Sequence, residues 1–165
     1  MSALFHNHPV PRILRVVLKG VLLLALATAA VPGQSAPGPS VDDATLRLLS
    51  IAESQHEIIQ LLIQKGDFKR AMQEFRVIMD LRLPLRFEEA LMKETVIVAR
   101  KIYDRGQKEM AYQVLEIGFR QLQVTENKAR VLNVKAGMLK NDGRLEEAIE
   151  TYRAEVELRE SGLGR

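Results

Sequence analysis

Beyond its first thirty residues the chain holds few side chains that could do bond-making chemistry. It has a single histidine there, His56, and no cysteine anywhere. A lone imidazole needs a positioned partner before it can act as general acid or base. Without cysteine there is no thiolate nucleophile, thiolate metal site, disulfide framework or lipid attachment at a cysteine. No HExxH, no glycine-rich phosphate loop after a strand and no GxSxG occurs. His56 is accordingly expected to be a partly exposed structural histidine. The acid pairs Glu88-Glu89 and Glu146-Glu147 fall where helices should begin, and the positive helix end accounts for them without a metal. Asn141-Asp142-Gly143 resembles part of a calcium loop, but the distal glutamate spacing is wrong. Catalysis, metal and cofactor are therefore not expected.

The elements that would position any binding residues are written three times. A glycine is followed by alanine five residues on and by a large apolar residue four beyond that: Gly66, Ala71 and Phe75; Gly106, Ala111 and Leu115; Gly143, Ala148 and Tyr152. Leu62, Ile102 and Leu139 stand four before the glycines. Copies lie 40 and then 37 residues apart, a period of stacked helical units rather than of a compact enzyme. Each glycine allows chain reversal with positive φ. Each alanine lets two antiparallel helices cross closely, and the large residue one turn later fills the groove between neighbours.

Apolar periodicity and stop signals predict six helices. The first starts at a cap, Asp42 or Asp43, and runs to Lys65 with Leu46, Leu49, Ile59 and Ile63 on or near one face and a nearly continuous apolar run at Ile58–Ile63. Asp67 caps the second, which carries Phe68, Ala71, Met72, Phe75 and Met79, and Pro84 ends it. The third spans about 86–105 and buries Leu91, Val98, Ala99 and Ile102. The fourth covers about 108–123, with Met110, Val114 and Leu122. Thr125 caps the fifth, which runs to Lys140 with Leu132, Ala136 and Leu139. The sixth runs from Leu145 to about Arg159.

Residues 1–30 have the pattern of an export signal: Arg12, Arg15 and Lys19, then a charge-free run from Gly20 to Val31 with Ala27-Thr28-Ala29 as cleavage determinants. The alternative is an uncleaved anchor, although a span needs about 20 apolar residues and Lys19 cuts this run to 12. The whole chain has 24 Lys+Arg against 21 Asp+Glu, and the leader contributes three of the bases and no acid. The remainder is charge-balanced, without the basic excess that drives nucleic-acid binding. Residues 31–41, with three prolines and two glycines, form a linker. The helical domain spans 42–160, and 161–165 form a flexible tail.

At the repeated residues the chain resembles the tetratricopeptide repeat family. That pattern has a small residue seven before the turn glycine, met by Ala99 and Ala136 but not Ile59. It has alanine five after, met in all copies, and an aromatic nine after, met by Phe75 and Tyr152 with Leu115 close. The family's alanine twelve after is replaced by Ile78, Gly118 and Glu155, and the spacings exceed the family's 34. The resemblance covers about residues 52–160 and implies an all-α, right-handed α-solenoid of about three stacked helix-turn-helix hairpins.

It also implies a peptide groove lined by the first helix of each hairpin. Positions thirteen, ten, six and three before each glycine share one helix face. They are Glu53, His56, Gln60 and Ile63; Lys93, Val96, Arg100 and Tyr103; Arg130, Asn133, Gly137 and Lys140. Its four bases and one acid suit an acidic segment or a chain terminus, with arginine as two-pronged carboxylate donor, Asn133 on the peptide backbone and Tyr103 against an apolar side chain. The bland alternative is an ordinary solvated face. The chain also stops just after its sixth helix, leaving Val156 and Leu158 to face an open end, where a homodimer or docked partner would cover them.

These features lead to the expectation of a non-catalytic adaptor or scaffold, exported to the periplasm, that holds another protein or an acidic peptide segment. The alternative is an anchored or dimeric structural subunit of an envelope or secretion complex, in contact with the inner membrane if the leader is retained. Nucleic acid is not an expected partner.

Overall fold

A computed structural model describes residues 42–163, and within them the chain is all-α. The expected leader and linker lie outside the described residues. The helices are α1 (Asp43–Lys65), α2 (Phe68–Asp80), α3 (Glu88–Asp104), α4 (Lys108–Gln121), α5 (Thr125–Asn141) and α6 (Leu145–Leu163), with a 3₁₀ turn at Leu85–Phe87 before α3. They pair as three hairpins, α1 with α2, α3 with α4 and α5 with α6. Successive hairpins touch through their first helices, α1 on α3 and α3 on α5, while α4 packs against both α2 and α5.

The repeated glycines close the hairpins as expected, at φ +82° (Gly66), +79° (Gly106) and +74° (Gly143). Each forms the same helix stop. Gly66 N–H donates to Ile63 O (3.1 Å) and Asp67 N–H to Leu62 O (2.9 Å). Gly106 and Gln107 donate likewise to Tyr103 and Ile102, and Gly143 and Arg144 to Lys140 and Leu139. This is the Schellman arrangement, which satisfies carbonyls that a helix end would leave bare. The apolar residue four before each glycine is thus the one whose carbonyl takes the outer bond. The alanine amides then bond back to Asp67, Gln107 and Arg144, closing the first turn of the next helix.

The core follows the repeat. Ala71, Phe75, Ala99, Ala111, Leu115 and Ala136 are fully enclosed and Ala148 nearly so, whereas Tyr152 is only half-buried. Ile59 occupies the first copy's small-residue position, also fully enclosed. Gly118 lies within α4 against Thr95 of α3, so closely that a Cβ there would stand 2.2 Å from Thr95 Cγ2. The apolar run at Ile58–Ile63 divides: Ile59, Leu62 and Ile63 face inward, Ile58 and Leu61 outward. Leu46 is exposed, and Leu49, Leu91, Met110 and Leu132 are half-buried.

Several boundaries differ from expectation. The second helix stops at Asp80, before Pro84, and Pro84 instead leads into the 3₁₀ turn. The fourth stops at Gln121, with Leu122 extended and buried beyond it. Thr125 is the first residue of α5 and makes no side-chain cap. Its place is taken by Glu88 of the preceding hairpin, whose carboxylate accepts from Gln123 N–H (2.9 Å), Val124 N–H (2.7 Å) and Asn127 Nδ2 (3.1 Å). Helix α6 runs to Leu163, so residues 161–163 are helical rather than tail. Asp67 caps α2 as expected, accepting from the Arg70 amide at 3.3 Å.

Candidate functional site

The face counted back from the three glycines divides into a covered part and an open part. In the first hairpin α3 packs over it. His56, expected to be partly exposed, is buried, with Nδ1 2.8 Å from both Glu94 oxygens. Burial works against the charged ring, but the hydrogen bond and negative charge of Glu94 outweigh it and raise the His56 pKa above its ordinary 6.5. Gln60, expected to line the groove, is also buried. Its Oε1 accepts from Lys101 Nζ of α3, and its Nε2 has no hydrogen-bond partner among the described residues. Burial lowers the Lys101 pKa, against the pull of Glu94 and Glu57. Ile63 is buried beside them, and Glu53 is half-buried.

The open part belongs to α3 and α5, and most of its cations are already engaged. Lys93 lies 2.9 Å from Glu89, one helical turn away. Arg130 pairs with Glu126 at 3.1 Å and approaches Glu89 across the hairpin junction at 3.7 Å. Asn133 donates to Glu155 of α6 (3.0 Å), and Arg159 bonds both Glu155 and Glu126. The excess positive charge counted along the sequence is thus largely offset by Glu89 and Glu126. Among the described residues, Arg100 and Lys140 are exposed on this face without an ion-pair partner.

Tyr103 points its hydroxyl into the hairpin junction. It donates to Asp142 Oδ1 (2.6 Å), while Tyr112 donates to Oδ2 (2.5 Å) and Lys108 Nζ stands 2.5 Å from Oδ1. Withdrawal from water opposes ionisation of Asp142, yet the three donors prevail and hold its pKa down at about 2. The Asp142 hydrogen bond, aided by burial, pushes the Tyr103 phenol up to about 12. Burial, followed by the bond to Asp142, also raises that of Tyr112. All three groups therefore keep their charge states across neutral pH. One carboxylate in the α5–α6 turn gathers α3, α4 and α5 at a single point.

The sequence marks Asp142 only as a turn residue and Glu88 only as a helix-end acid. A signal for Asp142 exists in the repeat itself. The residue before the glycine is Lys65, Arg105 and then Asp142. The preceding hairpin changes in step, placing Lys108 and Tyr112 where the first copy has Phe68 and Met72. The odd acid in the third copy is matched by donors in the second.

Among the described residues, no helix is long and apolar enough to cross a membrane, and no group of three or more His, Asp or Glu residues is placed to hold a metal ion. Compared with known proteins, the chain matches no family model, no curated protein and no solved structure.

Proposed function

We propose that this chain is a non-catalytic adaptor, a short right-handed α-solenoid of three tetratricopeptide-like hairpins, exported to the periplasm, that holds an acidic segment of another protein. The observation carrying this reading is the pair Arg100 and Lys140, exposed and without an ion-pair partner among the described residues, on the first-helix face where neighbouring cations have internal partners. An unpaired guanidinium offers a carboxylate two parallel hydrogen bonds, and an ammonium adds a point charge. Asn133 and Tyr103 flank them but are tied to Glu155 and Asp142. They act in this reading through their remaining polar and ring surface. The rigid ties beneath the face support binding with little reorganisation, which favours affinity per contact.

The second reading, an anchored subunit of an envelope or secretion complex, follows if the apolar leader is retained. The mass of the protein recovered from membranes distinguishes the two. For the binding face, the test is capture from envelope extract by the wild type and by Arg100→Glu/Lys140→Glu. The reversed pair is expected to lose at least tenfold in capture of the main partner, with recovery as salt falls excluded because attraction has become repulsion. Unchanged capture overturns the acidic-segment reading.

A further inference from the structure

We propose that the outer face of α6 is a docking surface for α1 of a second copy of this chain, so that copies join head to tail and continue the stack. In the first two hairpins positions two, six, nine and thirteen after the glycine lie along one face of the second helix. These are Phe68, Met72, Phe75 and Met79 in α2, and Lys108, Tyr112, Leu115 and Phe119 in α4. At positions six and thirteen these residues are buried or half-buried. The third hairpin keeps apolar residues at all four positions, Leu145, Ile149, Tyr152 and Val156. Yet Leu145, Ile149 and Val156 are 53%, 51% and 52% exposed. This stripe has the register of a hairpin acceptor, and among the described residues no hairpin lies upon it.

The complementary stripe is at the other end of the same chain. Helix α5 meets α4 through positions fifteen and eight before its glycine: Lys128 lies over the Phe119 ring at 5.5 Å and Lys135 pairs with Glu116 at 3.0 Å. Position five before, Met138, is buried in the same helix. The corresponding residues of α3 are Leu91, Val98 and Lys101, all buried or half-buried. In α1 these three positions are Ile51, Ile58 and Leu61, apolar and exposed by 46%, 42% and 62%. A second copy's α1 laid on α6 as α5 lies on α4 would bring Ile51 to Val156. Charge does not oppose the pairing: the outer face of α6 is acidic, with Glu146, Glu150, Glu157 and Glu160 against Arg153, whereas that of α1 is balanced, with Arg47 and Lys65 against Asp43 and Glu57. Burial of two apolar stripes is the driving force, and a heterologous joint of this kind leaves each end free to add another copy.

The inference rests on the stacked-hairpin reading but uses neither Arg100 nor Lys140. The test is analytical ultracentrifugation of the full chain and of two double variants, Ile58→Glu/Leu61→Glu and Ile149→Glu/Val156→Glu, with circular dichroism to confirm retained helix. If a glutamate pair lowers helicity, the serine pair at the same exposed positions replaces it. The wild type is expected to grow in mass with concentration, each variant alone to stay monomeric, and an equimolar mixture to stop at a dimer, since one intact α6–α1 joint survives. A wild type that remains monomeric overturns the proposal. So does an α1 variant that still self-associates, which would mean an α6–α6 dimer, or a mixture that forms no dimer. A monomeric wild type that still captures its partner through Arg100 and Lys140 removes the docking and leaves the binding face standing.

Discussion

Gly118 and Thr95 set how closely α3 and α4 approach. Thr95 is fully buried with its hydroxyl donating to Leu91 O (2.8 Å), and its Cγ2, Oγ1 and Cβ all lie within 2.8 Å of where a Gly118 Cβ would stand. Alanine, the better helix former, is therefore excluded on steric grounds. Gly118→Ala is expected to lower stability by about 1–3 kcal/mol, the usual cost of overfilling a packed core. Thr95→Ala in the same chain removes the two nearest clashes and should restore part of the loss, which urea denaturation of the single and double variants measures. The absence of alanine at position 118 is a consequence of this close packing. Sequence could show that Gly118 stands in an alanine position, but not which atom excludes the methyl group.

At the scale of elements, the helix stops are local and the starts are shared. Each glycine and the residue after it terminate the helix with bonds to the residues three and four before the glycine, so the stop is written in consecutive residues. The start of α5 depends instead on Glu88, 35 and 36 residues earlier. Glu88 is buried, and its bonds to two backbone amides are charge-assisted. Glu88→Ala should cost about 1.5–3 kcal/mol, the range for hydrogen bonds to a charged group. It should also speed hydrogen exchange at the Gln123 and Val124 amides more than at α1. Unaltered exchange at those two amides would show that α5 begins without help from α3. This explains why Thr125 is a reasonable cap by residue type and yet caps nothing.

Over the whole molecule, the two hairpin junctions respond differently to pH. The second is held by Glu88 and by Asp142, whose carboxyl stays ionised down to about pH 2. The first is bridged by His56–Glu94, with the Gln60–Lys101 bond beside it and Glu57 nearby. Because the folded His56 pKa is raised above 6.5, its contribution is fully present below that value and is lost as pH rises through the folded pKa. Thermal unfolding followed from pH 6 to 8.5 should therefore show the wild type losing stability relative to His56→Gln. Hydrogen exchange should place the loss in α1 and α2, as nearest-neighbour coupling in stacked repeats predicts. A constant difference between the two proteins across this range would mean that His56 does not titrate with folding.

The sequence by itself determined the number of hairpins, their glycine stops and the alanines at their crossings. All of these rest on interactions within one helix or between adjacent helices, and a short repeated spacing can encode them. Only the tertiary structure decided which of the twelve face positions are open. His56 and Gln60 have the same register as Asn133 and Arg100 but lie beneath α3, where Glu94 and Lys101 bond them. It also decided that Lys93 and Arg130 share Glu89, and that Asp142 joins three helices. Apart from Lys93–Glu89, one turn apart on α3, these pairings are made between residues 30 to 41 positions apart, where no local periodicity relates one partner to the other. Spacing could place a residue on a face; packing decided whether that face met water, a carboxylate or another helix.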